Sequence, residues 1–275
     1  MPKPFEKLTF SDDWMFQKVL HDPEICAELV ERLLHINVSR VEYPELEKVI
    51  EPFYTSKGVR LDVYLKDSDK VIDIELQSYP MDALGKRIRY YESMLNMDAL
   101  MKGQDYTLLK DSYIVFICTE DPFKDKKETA YGLPCYTFRN ICEENNAVDL
   151  NDKSLKVIYN ASEYGKAEDK RIREFLRFVH TQEPGEDDLN KRLSEHVAKI
   201  KENEEFRSEY AAMNLHDQDI IRTAKREASE EKAVEAALLL INEYKEKPEI
   251  AAQKMNAPLN LVLEALKKQP EPVQA

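Results

Sequence analysis

Two stretches early in the chain alternate apolar and polar residues with a period of two. Val59-Arg60-Leu61-Asp62-Val63-Tyr64-Leu65 sets Leu61, Val63 and Leu65 against Arg60, Asp62 and Tyr64, and Val71-Ile72-Asp73-Ile74-Glu75-Leu76-Gln77 sets Ile72, Ile74 and Leu76 against Asp73, Glu75 and Gln77. A period of two marks strands, whose successive side chains point to opposite faces. Asp67-Ser68-Asp69 between them has turn chemistry, so the pattern predicts an antiparallel hairpin that brings Asp62 and Glu75 together on one surface.

Helical spacing surrounds the hairpin. Thr9 to Leu20 opens with a capping residue and then spaces Trp14, Met15, Phe16, Val19 and Leu20 as a helix does. Asp22-Pro23-Glu24 starts a second helix that continues through Leu29, Val30, Leu33 and Leu34. Residues 49–54 read as a further strand, and residues 84–100 as a long helix with Ile88, Tyr91, Met94, Leu95 and Met101 close to helical spacing, closed by Gly103 as its C-terminal cap. Ser112-Tyr113-Ile114-Val115-Phe116-Ile117-Cys118 is continuously apolar and β-rich, as a buried central strand is. Cys135-Tyr136-Thr137-Phe138 and Leu155-Lys156-Val157-Ile158-Tyr159 read as two more strands, joined by the charged, Asn-rich segment 143–152.

From about Lys166 the pattern is helical, broken by Glu183-Pro184-Gly185-Glu186. It ends in two helices around Asn256-Ala257, of which the second, Leu259 to Leu266, offers few side chains for reading a DNA groove and so reads as half of a packing hairpin. Strands enclosed by helices and then a helical remainder predict one α/β domain over residues 1–165 and an α-helical region over 166–275.

Composition narrows the function classes. With 43% hydrophobic and 34% charged residues the chain suits a globular protein with a highly charged surface, and its net charge of -13 argues against general coating of nucleic acid, though not against an enzyme with a local basic strip. The longest apolar run, Ala236 to Ile241, is far below the roughly 20 residues that span a bilayer. The start, Met1-Pro2-Lys3-Pro4-Phe5-Glu6-Lys7, lacks a signal-peptide core, so the expected location is the cytoplasm. Cys26, Cys118, Cys135 and Cys142 have no metal-type spacing and read as reduced, mostly buried thiols; the histidines form no ligand pair; and six glycines make neither a dinucleotide nor a phosphate loop.

The acidic face of the hairpin has two readings. An ordinary half-exposed hairpin turns a charged face to water. Alternatively, two carboxylates held close repel each other unless a proton or cation is shared, and a hard divalent ion is the usual remedy, binding one or two protein carboxylates and keeping waters.

A strand with Asp62, a strand with Glu75-x-Gln77 thirteen residues further on, and a helix bearing Lys86, Arg87, Arg89, Tyr90 and Tyr91 form a pattern that resembles the PD-(D/E)XK nuclease superfamily. In detail it resembles the Rpn family of recombination-promoting nucleases, also described as transposases. The likeness rests on five segments in order: Asp13 to Leu20, Leu61-Asp62-Val63, Val71 to Gln77, Lys86 to Tyr91, and Lys102-Gly103-Gln104-Asp105-Tyr106.

The resemblance implies a restriction-endonuclease-like core, a mixed central sheet flanked by helices, with an α-helical C-terminal extension. It implies that Asp62 and Glu75 are the metal-binding carboxylates and that Gln77 stands where the superfamily has a lysine that orients the attacking water. Glutamine keeps reach and hydrogen bonding but brings no charge. Arg87 and Tyr91, four apart on one helix face, either form the expected phosphate-binding pair or belong to a helix that packs its tyrosines into the core and keeps its basic residues in water. Asp13 is a supporting acid on the first helix, or a cap, and Asp73 a supporting group or a solvent-facing residue. The implied cofactor is Mg2+, with Mn2+ as a substitute, and the implied partner is DNA. The function expected is metal-dependent DNA cleavage in recombination or mobile-element biology. The alternative is a catalytically weak module that binds DNA or a protein. A homodimer through the C-terminal helices would suit paired cuts.

Overall fold

The computed structural model describes residues 3–38, 45–50, 59–66, 69–79 and 81–268. They fall into two compact units, Met1–Arg207 and Ser208–Ala275.

The first unit is built on a six-stranded mixed sheet in the order β1-β2-β3-β4-β6-β5. Its strands are β1 (Glu45–Ile50), β2 (Val59–Lys66), β3 (Lys70–Gln77), β4 (Asp111–Cys118), β5 (Cys135–Phe138) and β6 (Ser154–Asn160). β1, β2 and β3 are antiparallel, β3, β4 and β6 run parallel, and β5 returns antiparallel to β6. The expected hairpin is present, with Val63 opposite Ile74 and Tyr64 opposite Asp73, although its turn residues 67 and 68 lie outside the described residues. The strand expected at 49–54 begins earlier, at Glu45; residues 51–54 lie outside the described residues. β4 lies inside the sheet with paired strands on both sides and buries its last five residues, which is why its sequence does not alternate.

Helices cover both faces. Asp22 caps α2 (Pro23–Leu34) by accepting from the N–H groups of Glu24 and Ile25, and Pro23 starts it with a preset φ. α1 (Asp13–Leu20) packs against β2 and β3, and the Tyr159 hydroxyl of β6 donates to the Leu33 carbonyl at the end of α2. On the opposite face, α3 (Leu84–Ala99) lays Leu84, Ile88, Tyr91, Met94 and Leu95 over Tyr64, Val71, Ile114, Phe116, Cys118 and Ile158. The face that carries Asp73, Glu75 and Gln77 is therefore dry: these three are 0%, 1% and 5% exposed. The reading of this face as a solvent surface, and of Asp73 as solvent-facing, is corrected, because a hairpin's period says which residues share a face and not what packs upon it.

Helix ends differ from expectation at two points. α3 stops at Ala99 with an extended Leu100, and Met101 is exposed rather than on the apolar stripe. Gly103 is not the cap; it has φ +87 in a turn closed by the Gln104 N–H on the Met101 carbonyl, a backbone conformation that favours glycine.

The helical region also divides later than residue 165. α4 (Lys170–Thr181) and α5 (Asp188–Glu202) pack on α1 and α2, and Phe10 meets Phe175 and Phe178, so they share the first unit's core. The packing of the backbone segments, not the switch from strand to helix, sets the limit at Arg207. α6 (Glu204–Tyr244) is a 41-residue helix. In the second unit its end joins α7 (Pro248–Met255) and α8 (Leu259–Lys268) around Val234, Ala237, Ala251, Ala252 and Val262, with Asn256 in the left-handed region at the corner. This is the packing hairpin the sequence predicts. Cys26 and Cys118 are buried, Cys135 and Cys142 partly so, all as free thiols. Among the described residues no helix is long and apolar enough to cross a membrane.

Candidate active site

The seam between β2 and β3 opens one step beyond the Val63–Ile74 pair, and two carboxylates fill the gap. The Asp62 N–H donates to Glu75 Oε1 at 2.9 Å, and the Leu76 N–H donates to Asp62 Oδ2 at 3.1 Å. Side-chain oxygens thus accept from main-chain donors on the facing strand, each carboxylate locked to the other's strand. The local alternation places both acids in the seam; the ladder on one side and the covering helices on the other keep them there.

Each acid has a second partner from a helix. Gln17 Nε2, on α1, donates to Asp62 Oδ1 at 3.0 Å. Arg87 Nη2, on α3, donates to Glu75 Oε2 at 2.9 Å, forming an ion pair with a carboxylate side chain that is 1% exposed. Arg87 also donates to the Tyr91 oxygen at 2.7 Å, to Gln77 Oε1 at 3.3 Å and to Met81 Sδ at 3.1 Å, and its guanidinium carbon lies 4.8 Å from the centre of the Tyr91 ring. The spacing of four between Arg87 and Tyr91 makes this possible, since it puts both on one helix face.

Asp62, Glu75, Gln77, Arg87 and Tyr91 therefore meet, as the sequence predicts. Asp13, exposed in the first turn of α1, is one helical turn before Gln17 and close enough for its charge to act on Asp62. The cap position belongs to Asp12, whose Oδ2 braces Thr9 and Lys3 instead of the helix N–H groups. Gln77 is placed differently from its expected role. Its Nε2 donates to the Tyr79 carbonyl at 2.8 Å and its Oε1 accepts from Arg87, so both ends of the amide are taken up by the protein. Gln17 escapes sequence reasoning, for a lone glutamine among the apolar residues of α1 gives no signal beyond its spacing of four from Asp13.

Electrostatics makes the cluster costly when charged. Burial pushes the Asp62 carboxyl up to about 6, and the Asp13 charge adds to this, against the hydrogen bonds from Leu76 and Gln17. Burial also pushes Glu75 well up, with the charges of Asp73 and Asp62 in the same direction. Asp73 is raised by burial and by Asp62, and neither of its oxygens has a hydrogen-bond partner. Burial lowers the Arg87 pKa, but Glu75 and Tyr91 outweigh it and leave it raised; burial and Glu75 push the Tyr91 hydroxyl up to about 12. Two buried acids, Asp73 and Glu75, and the half-buried Asp62 thus face one guanidinium.

That excess of negative charge and the all-oxygen donor set suit a hard divalent cation. Among the described residues no group of three or more His, Cys, Asp or Glu side chains is disposed to hold a metal ion. Magnesium does not require one, because it binds through one or two protein carboxylates and keeps its waters.

A family model described as PD-(D/E)XK nuclease family transposase matches residues 10–234. No curated protein and no solved structure matched.

Proposed function

Because this chain belongs to the PD-(D/E)XK nuclease family transposases, with a nuclease or transposase-like role, we propose that it is a metal-dependent DNA endonuclease with its centre at Asp62 and Glu75. The observation that carries the reading is the interlocked carboxylate pair in the opened β2–β3 seam, faced by Arg87.

Asp62 and Glu75 would hold Mg2+, or Mn2+ in its place, through lone pairs not already engaged by the protein: each of their oxygens accepts one hydrogen bond here, and a carboxylate oxygen has a second acceptor site. When bound, such an ion supplies an activated water and charge stabilisation at the leaving oxygen. The remaining work is done by the chain itself. Arg87 holds Glu75 in place and, with a side chain 29% exposed, offers its open edge to a phosphate. Tyr91 accepts from Arg87, which leaves its own O–H to donate. Gln77 supports Arg87 and leaves water placement to other groups. Arg87 is then the positive charge that the strand itself lacks at Gln77, delivered from a neighbouring helix.

The test is nicking of supercoiled plasmid with Mg2+ or Mn2+, repeated with chelator and with Asp62→Ala and Glu75→Ala. Each substitution is expected to lower the rate by at least about 10²–10³-fold, the scale of losing a transition-state contact. Nicking that survives both would end the assignment.

A second reading is favoured by one specific feature, the consumption of the Gln77 amide and of Arg87 by protein partners: a catalytically weak module that binds DNA or a protein. DNA binding without nicking in either metal would establish it. We further place the protein in the cytoplasm and assign a homodimer to its C-terminal helices, which light scattering of the purified protein checks through a mass of two chains.

A further inference from the structure

The carboxylate of Asp62 is anchored at both oxygens, and the two anchors differ in kind. Oδ2 is held by the Leu76 N–H, a main-chain donor fixed by β3, while Oδ1 is held by the side chain of Gln17. Gln17 is 4% exposed on a helix that otherwise buries Trp14, Met15, Phe16, Val19 and Leu20. A buried amide among apolar neighbours is costly unless it makes a hydrogen bond, and its Nε2 makes this one. The bond links two elements that are distant in sequence, since Gln17 and Asp62 are 45 residues apart. The other amide of the site, Gln77, is engaged at both ends with Tyr79 and Arg87 and does not reach Asp62 through any of its hydrogen bonds.

We propose that Gln17 is a positioning residue for the reaction, fixing from α1 the plane of the Asp62 carboxylate so that its open lone pairs face the reacting centre. The inference rests on the nuclease reading above. Two-point anchoring removes rotation about the last side-chain bond of Asp62; with Leu76 alone, Oδ1 is free to swing. Groups that orient a ligating carboxylate in this way are worth about 10- to 100-fold in affinity or activity.

Two substitutions separate positioning from packing. Gln17→Met keeps the length and apolar contacts of the side chain but removes the donor; Gln17→Lys keeps a donor at similar reach. Plasmid nicking gives kcat and KM, calorimetry gives the affinity for Mn2+, and thermal unfolding reports the fold. Gln17→Met is expected to lower kcat by about 10- to 100-fold and to weaken Mn2+ binding about 10-fold, with KM for DNA and the melting temperature near wild type. Gln17→Lys is expected to recover kcat to within a few-fold. A Gln17→Met protein with wild-type kcat and Mn2+ affinity overturns the proposal and leaves the nuclease reading standing. So does a Gln17→Lys protein as impaired as Gln17→Met, which would make the role one of shape. Wild-type protein that binds Mn2+ but never nicks removes the nuclease reading, and the Mn2+ affinity of Gln17→Met then decides the positioning by itself. Wild-type protein that neither nicks nor binds Mn2+ removes both.

Discussion

A carboxylate's surroundings decide its chemistry, and Asp62, Asp73 and Glu75 share surroundings that favour the protonated form. Burial raises all three, Asp62 to about 6. The folded protein therefore binds protons more tightly than the unfolded chain, whose aspartates titrate near ~3.9. Stability from this source is fully present below that value and is lost as the pH rises through about 6. Without metal, the protein is expected to be more stable at pH 5 than at pH 7, relative to Asp62→Asn, by about 1 kcal/mol. Calorimetric melting of the two proteins across that range measures it; parallel pH profiles would refute the shared cause. The acids themselves were legible in the sequence, as was the pairing of Arg87 with Tyr91 by their spacing. Gln17 was not, because nothing in a helix pattern says that one polar residue on a buried face points at a strand from elsewhere in the chain.

At the scale of elements, local signals succeeded where the chain makes its own boundary. Asp22-Pro23 starts α2, and the alternation of β2 and β3 sets their register. They failed at α3. Its first turn follows Ala83, which has φ 61 in the left-handed region without a side-chain cap. An alanine there carries a steric cost that glycine does not. Ala83→Gly is expected to stabilise the protein by about 0.5–1 kcal/mol, measured by denaturant unfolding, with nicking unchanged. A loss of stability would mean that the strain is absent. Gly103 misled for a related reason: a glycine with positive φ near a helix end serves a cap or a separate turn equally well, and only the backbone path after Ala99 distinguishes them.

Across the whole molecule, the division into Met1–Arg207 and Ser208–Ala275 separates the carboxylate cluster from the C-terminal helix hairpin. Asp62, Asp73, Glu75, Gln77, Arg87, Tyr91 and Gln17 all belong to the first unit. A chain ended at Arg207 is therefore expected to keep cooperative unfolding and to nick plasmid within a few-fold of the full-length rate. Circular dichroism and the same nicking assay check this. If DNA binding is lost while the fold persists, the helices carry the substrate contact. The net charge of -13 makes any DNA contact a local matter, with Lys86 and Arg89 on the exposed side of α3 beside Arg87.

The sequence by itself determined the strands, the two acids on one face, the central buried strand and the helix that brings Arg87 and Tyr91, because these depend on residue periods of two and 3.6 within a few turns of chain. The tertiary structure alone decided that the acidic face is covered, that the seam opens so that each carboxylate accepts from the opposite strand, that Gln77 is turned to Arg87 and Tyr79, and that Gln17 reaches Asp62. All four depend on which distant segments pack together, and burial, not local pattern, makes a charged strand face into a cluster of interacting carboxylates.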